Sequence, residues 1–164
     1  MGRRSEYAMR PIQPGDNEQV ARIIRRVMAE FGAVGEGYSI MDAEVDAMYE
    51  AYHNHRSAFF VIERQADVLG CGGIAPLAGG DEDTCELKKM YFLPELRGQG
   101  WGKRLSLHCL DEARKLGYRL CYLETVARMQ QANQLYQRLG FQKLDTALGH
   151  TGHSSCETYY ALEL

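Results

Sequence analysis

The sequence predicts an α/β protein, and three observations carry that prediction. Short runs rich in β-branched and aromatic residues, such as 58–63, alternate with amphipathic runs at helical spacing, such as 101–116. The order of elements is a strand, two helices, three strands, a helix, a strand, a helix and two strands. With 164 residues, 45% of them hydrophobic, and no linker or repeat, residues 1–164 are expected to form one domain.

The individual elements follow from periodicity and from turn residues. The predicted strands are short and rich in β-branched or aromatic residues: 7–13, 58–63, 68–77, 84–93, 119–124, 141–144 and 157–164. The predicted helices have apolar residues at helical spacing: 17–31, 44–53, 101–116 and 130–139. We expect Asp16 to cap the first helix, and Gly117 and Gly140 to end the last two.

Composition and charge narrow the range of partners. A net charge of -3 and a pI near 6.0 leave no basic surface for nucleic acid or an anionic membrane, which favours a small substrate. The cysteines at 71, 85, 109, 121 and 156 form no Cys-x-x-Cys pair, so we expect reduced thiols and a cytoplasmic location. No stretch approaches the roughly 18 apolar residues of a membrane span.

Residues 96–103 read Leu-Arg-Gly-Gln-Gly-Trp-Gly-Lys, where a strand ends and a helix begins. Glycine lets the backbone turn tightly and approach a ligand, and the amides that start a helix favour an anion. Arg97 and Lys103 add full charges, so the sequence predicts a phosphate-binding loop. It is not a P-loop, because Arg104 follows Lys103, nor a dinucleotide loop, because Lys103 replaces the third glycine.

The pattern Arg97-x-x-Gly100-x-Gly102 resembles the pyrophosphate loop, Arg/Gln-x-x-Gly-x-Gly/Ala, of the GNAT superfamily of N-acetyltransferases. Residues 86–94 (Glu-Leu-Lys-Lys-Met-Tyr-Phe-Leu-Pro) and 132–141 (Ala-Asn-Gln-Leu-Tyr-Gln-Arg-Leu-Gly-Phe) resemble that family's central strand and its next conserved segment. The resemblance covers residues 84–142. It implies a GNAT-like fold with a mixed, mostly antiparallel sheet flanked by helices, and acetyl-CoA as cosubstrate, without a metal.

The resemblance also implies which residues hold acetyl-CoA. The backbone of Met90, Tyr91 and Phe92 pairs with the pantetheine arm. The pyrophosphate-binding residues all belong to the glycine-rich stretch: Arg97, Gly98, Gln99, Gly100, Trp101, Gly102 and Lys103. Asn133 corresponds to an asparagine that often contacts the coenzyme arm, although an asparagine near a helix start also serves as a local cap.

Two residues are candidates for proton transfer. Acetyl transfer to an amine needs a group that takes a proton from an ammonium with a pKa of about 10, and a group that protonates the departing thiolate. By resemblance, Glu86 is the general base and Tyr136 the general acid. Glu86 can instead pair with Lys88, and Tyr136 also lies on an ordinary buried helix face.

His150, His153 and Cys156 are the one cluster of residue types that bind metals, but acceptor binding or a plain loop is favoured there over a metal. The expected acceptor is the primary amine of a small molecule, with a peptide or protein amine as the alternative. A non-catalytic acyl-CoA sensor is the alternative function. The acceptor's identity, the acyl-chain preference and the oligomeric state, a homodimer included, stay open.

Overall fold

A computed structural model describes residues 6–164, and within them seven strands form one sheet. The strands are β1 (Ala8–Pro11), β2 (Ala58–Arg64), β3 (Asp67–Pro76), β4 (Thr84–Phe92), β5 (Leu120–Thr125), β6 (Gln142–Leu144) and β7 (Thr158–Glu163). The helices are α1 (Asn17–Glu30), α2 (Met48–Tyr52), α3 (Trp101–Lys115) and α4 (Gln130–Arg138). Apart from α2, the elements lie close to their predicted bounds.

The sheet has the order β1-β2-β3-β4-β5-β7-β6. Every neighbouring pair is antiparallel except β4 and β5, which run parallel because α3 carries the chain back between them. The predicted α/β class is therefore confirmed, with a mostly antiparallel sheet flanked by helices.

The centre of the sheet is split. Thr84–Glu86 of β4 pairs with Leu120–Tyr122 of β5, and beyond these residues the two strands have no paired positions. Where the pairing with β5 has stopped, β4 bulges against β3, because Lys89 and Met90 together face Gly72. Lys89 has a φ of 57° at this bulge. The divergence opens the middle of the sheet.

The predicted helix stripes form the core. In α1 and α3 they are fully buried: Val20, Ile23, Ile24, Val27, Trp101, Leu105, Cys109 and Ala113. All five cysteines are buried free thiols, as predicted. Among the described residues, no helix has both the length and the apolar character needed to cross a membrane.

Two local predictions are wrong. Asp16 does not cap α1, because its carboxylate accepts hydrogen bonds from Arg10 at 2.8 and 2.9 Å and from the amide of Gln13 at 2.7 Å. The helix predicted over 44–53 is interrupted at Ala47, whose φ of -141° is not helical, so a 3₁₀ turn precedes the short α2. Within that turn Glu44 pairs with Lys88 of the sheet at 3.2 Å.

Candidate active site

Two adjoining cavities lie beside the part of β4 that β5 does not cover. We call the one of about 370 Å³ the larger cavity. Its walls come from the end of α1, the end of β4, the glycine-rich loop and the start of α4. Most of the predicted coenzyme residues line it: Met90, Tyr91, Phe92, Arg97, Gly98, Gly100, Trp101 and Gly102. Gln99, Lys103 and Asn133 do not.

The glycine-rich loop presents its backbone to this cavity. Gly98 and Gly100 have φ values of 74° and 83°, in the left-handed region that favours glycine, and a Cβ at either position would meet no atom within 4 Å. The six amides from Gly98 to Lys103 donate to no described carbonyl or side chain, and the first paired amide of α3 is Arg104, bonded to Gly100 O at 3.1 Å. Such a group of free amides suits an anion.

Arg97 braces the loop rather than standing free. Its Nε donates to the carbonyl of Phe92 at 2.9 Å, and its two terminal nitrogens form a bidentate pair with Glu30 at 2.7 and 2.8 Å. Gln99 donates to the carbonyl of Glu95 at 2.9 Å, and Lys103 is exposed on α3. A phosphate bound at the loop would therefore compete with Glu30 for Arg97.

Asn133 has an internal role in the structure. Its Nδ2 donates to the carbonyls of Val126 and Met129 at 3.0 and 2.8 Å, and its Oδ1 accepts from the hydroxyl of Tyr160 at 2.9 Å. These bonds fix the turn between β5 and α4 against β7. The alternative of a helix cap is wrong, because Met129 holds the cap position, and contact with the coenzyme arm stays a prediction.

A smaller cavity of about 50 Å³ adjoins the larger one. The two cavities share several lining residues: Met90, Tyr91, Met129, Ala132 and Tyr136. The polar and sulfur-containing groups found only in the smaller cavity are Met28, Ser39, Glu86, Lys88, Lys89, Glu124, Thr125, His153 and Cys156. Both predicted proton-transfer residues therefore reach it.

Glu86 is nearly removed from water, with 4% of its surface exposed. Burial, with a smaller effect of Glu124, raises the pKa of its carboxyl to about 7, although Lys88 and His153 oppose the rise. Lys88 lies 4.0 Å from Glu86 Oε1 and pairs more closely with Glu44. A carboxyl whose pKa is near neutrality suits a general base.

Tyr136 separates the two cavities and is 6% exposed. Its ring packs against Phe141 and Tyr160, with centroids 5.8 and 6.4 Å away. Burial raises the pKa of the phenol well above its usual range, so the hydroxyl keeps its proton at neutral pH. Within residues 6–164 this hydroxyl has no hydrogen-bond partner, which leaves it available to a ligand.

His153 belongs to a charged cluster that the sequence did not reveal. Its Nε2 bonds to the carboxylate oxygens of Asp42 at 2.8 and 3.0 Å, and its Nδ1 lies 3.9 Å from Glu124 Oε1. One carboxylate oxygen of Glu86, one of Glu124 and one ring nitrogen of His153 lie within 4.8 Å of one another. Of the predicted histidine and cysteine cluster, only His153 and Cys156 reach the cavity, because His150 is exposed.

Residues 22–141 match the sequence model of the acetyltransferase (GNAT) family. The chain is 46% identical to the uncharacterized N-acetyltransferase YjgM of Escherichia coli (strain K12) over 157 residues, which cover 95% of this chain and 94% of that protein. It is 37% identical to the IAA acetyltransferase of Azospirillum brasilense over 83 residues, which cover 51% and 53% of the two chains.

Solved structures share the fold. A GNAT-family acetyltransferase from Staphylococcus aureus Mu50 superposes with a TM-score of 0.81 at 17% identity, over 96% of this chain and 98% of that one. YncA of Salmonella typhimurium, solved with its cofactor acetyl-CoA, gives a TM-score of 0.77 at 20% identity, over 97% and 94%. The predicted GNAT-like fold is confirmed, and the family match together with the E. coli relative shows that the chain belongs to the GNAT family of acetyltransferases.

Proposed function

We propose that this protein is an acetyl-CoA-dependent N-acetyltransferase that acetylates the primary amine of a small molecule by direct attack. The main support for this proposal is the position of Tyr136, which lines both cavities, and of Glu86, which lines the smaller one. A proton donor and a proton acceptor therefore meet where a coenzyme in one cavity faces an acceptor in the other.

The larger cavity fits acetyl-CoA, which supplies an acetyl group activated as a thioester. The free amides from Gly98 to Lys103 suit the pyrophosphate. The stretch Met90–Phe92, which β5 leaves uncovered, offers backbone groups to the pantetheine arm, and much of the remaining wall is apolar. The E. coli relative is itself named an N-acetyltransferase.

The smaller cavity carries the chemistry of the acceptor. Glu86 takes a proton from the ammonium, and the nitrogen forms a bond to the acetyl carbon as the bond from carbon to sulfur breaks. Tyr136 gives its proton to the departing sulfur. Of the two protons that the nitrogen loses in total, one reaches solvent through Glu86 and the other restores the phenol of Tyr136.

The size of the smaller cavity favours a small acceptor over a peptide or protein amine. It measures about 50 Å³, and His153, held by Asp42, forms part of its wall. A cytoplasmic location is part of the proposal and is supported by the five free, buried cysteines, since thiols persist in reducing compartments.

The test is a panel of acceptors incubated with acetyl-CoA: amino acids, simple amines, polyamines, aminoglycosides and peptides with free N-termini. We expect release of free thiol with at least one small amine, and a product heavier by one acetyl group. Calorimetric binding of acetyl-CoA without thiol release from any acceptor would indicate the sensor instead. Thiol release with peptides alone would replace the small-molecule acceptor.

A further inference from the structure

Glu124 is a buried carboxylate with an unsatisfied oxygen. Its side chain is 4% exposed and lines the smaller cavity, and among residues 6–164 its Oε1 has no hydrogen-bond partner. A buried polar atom without a partner destabilises a fold, so such atoms generally mark a ligand or a water. Glu124 faces the place where the acceptor is proposed to bind, so we consider the acceptor as its partner.

We infer that Glu86, Glu124 and His153 form a binding site for the primary ammonium group of the acceptor, and that the acceptor carries no carboxylate on the carbon next to that nitrogen. The inference rests on the proposed function and deepens it, because it names the class of amine. Glu124 is then a substrate-binding residue.

The spacing of the cluster suits an ammonium group. One side-chain oxygen each of Glu86 and Glu124 and one ring nitrogen of His153 lie within 4.8 Å of one another. An ammonium nitrogen that donates over about 2.8 Å can contact two oxygens at that separation. Nε2 of His153 is bound to Asp42, so Nδ1 is the ring nitrogen nearer to Glu124, at 3.9 Å from its Oε1. The carboxylates of Glu86 and Glu124 would accept N–H groups of a primary ammonium, and His153 lies on the third side of the site.

The same cavity offers no spare cation among its described residues for a carboxylate on the acceptor. Lys89 is bound to Asp42, and its side chain is 1% exposed. Lys88 lies between Glu44 at 3.2 Å and Glu86 at 4.0 Å. A carboxylate beside the ammonium would therefore face Glu86 and Glu124 without a partner, and like charges at that distance repel.

The first experiment compares matched acceptors that differ in one group. Alaninol is measured against alanine, phenethylamine against phenylalanine, and each free amine against its N-methyl derivative, on the unmodified enzyme. We expect kcat/KM to be at least about tenfold higher for the carboxylate-free and unmethylated members. A preference for the amino acids, or turnover of peptides alone, would overturn the inference, whereas no thiol release from any amine would contradict the proposed function itself.

The second experiment removes the charge of Glu124. Glu124→Gln should raise KM for the amine at least about tenfold and leave the dissociation constant of acetyl-CoA unchanged. The acidic limb of the kcat/KM profile should move to lower pH, because Glu86 ionises more easily without that neighbouring charge. This shift reports that the two carboxylates are close to each other, whereas the rise in KM reports contact with the amine. An unchanged KM in Glu124→Gln would overturn the inference.

Two controls complete the test. Glu157→Gln makes the same charge change near Cys156 but outside the cavity, and it keeps an oxygen for the amide of Ala127, so KM should not change. Glu124→Asp should recover part of the affinity for the amine. Activity that is lost on treatment with EDTA and restored by Zn²⁺ would assign the three donor groups to a metal and overturn the ammonium site.

Discussion

The two cavities on either side of Tyr136 are built in different ways. The larger one takes its anion-binding groups from a single stretch, 98–103, and those groups are backbone amides. The smaller one takes its acidic and basic side chains from β4, from β5 and from the loop before β7, which are far apart in the sequence. Backbone amides are available to any sequence that makes the turn, so anion binding in the larger cavity would depend little on the identity of its side chains.

The smaller cavity depends on side chains instead, and each of them is buried at an energetic cost. A buried charge destabilises a fold unless it is paired. Glu86 and Glu124 lie near each other, and the cation closest to Glu86 is Lys88, 4.0 Å away. Acceptor selectivity is therefore expected in this cavity. The predictions below separate the two regions, from the largest expected effect to the smallest.

Tyr136→Phe tests the wall between the cavities. The ring keeps its packing against Phe141 and Tyr160, and only the hydroxyl is lost. If Tyr136 protonates the departing sulfur, kcat should fall on the order of 10² to 10⁴-fold. The dissociation constant of acetyl-CoA, measured by calorimetry, should stay close to that of the unmodified enzyme. A variant with full kcat would assign Tyr136 to packing alone.

Glu86→Gln tests the base by its pH dependence. The unmodified enzyme should lose kcat/KM as the pH falls below about 7, because the carboxyl must be ionised to take a proton. The groups that set this pKa besides burial are Lys88, His153, Glu124 and Lys89. At neutral pH the variant should be slower on the order of 10²-fold, and its profile should lack the inflection near pH 7.

The ratio of kcat/KM of the unmodified enzyme to that of Glu86→Gln then distinguishes a base from an orienting residue. Below pH 7 the ratio should be constant, and above it the ratio should shrink as an acceptor with a pKa of about 10 loses its proton unaided. Glu157→Gln, the same substitution outside the cavity, should follow the unmodified profile. Equal losses across the whole pH range, with chemistry rate-limiting, would mean that Glu86 only positions the acceptor.

The same difference explains how much could be predicted. The fold followed from local patterns, since periodicity and turn residues set most element bounds, and the larger cavity followed from one motif around Gly100. The prediction for Asp16 was wrong because its carboxylate is bound by Arg10, which also bonds Glu63 across the pair β1 and β2. The helix over 44–53 is broken at Ala47, in a segment where Glu44 also pairs with Lys88 of the sheet.

The acceptor side could not be predicted, because no local pattern joins Asp42, Glu124 and His153. They lie in a loop after α1, near the end of β5 and in the connection to β7, and only the sheet order brings them together. One signal was present: Glu124 is the one charged residue in the run 120–125, Leu-Cys-Tyr-Leu-Glu-Thr, which is otherwise almost apolar. Burying a charged side chain in such a strand destabilises the fold, so its presence indicates a function.

Gly100→Val tests the larger cavity. Gly100 has a φ of 83°, which valine rarely adopts, so the free amides should lose their arrangement although no atom lies within 4 Å of the new Cβ. We expect acetyl-CoA to bind at least about tenfold more weakly. Gly117→Val is the matched control, because Gly117 also has a left-handed φ, 90°, and open space, at the other end of α3. Both variants should lose stability, but only the first should lose affinity.

Glu30→Gln should have the smallest effect, because it changes a partner of the loop and not the loop itself. Glu30 is 40% exposed, and exposed pairs contribute only about 0 to 1 kcal/mol to folding. Removing its charge frees Arg97 for an anion, so acetyl-CoA should bind more tightly by less than about tenfold, and the gain should shrink at high salt. Asp46→Asn is the control, since it breaks a similar bidentate pair with Arg25 elsewhere on α1. Weaker binding in Glu30→Gln would show that Glu30 orients Arg97 rather than competing with the phosphate.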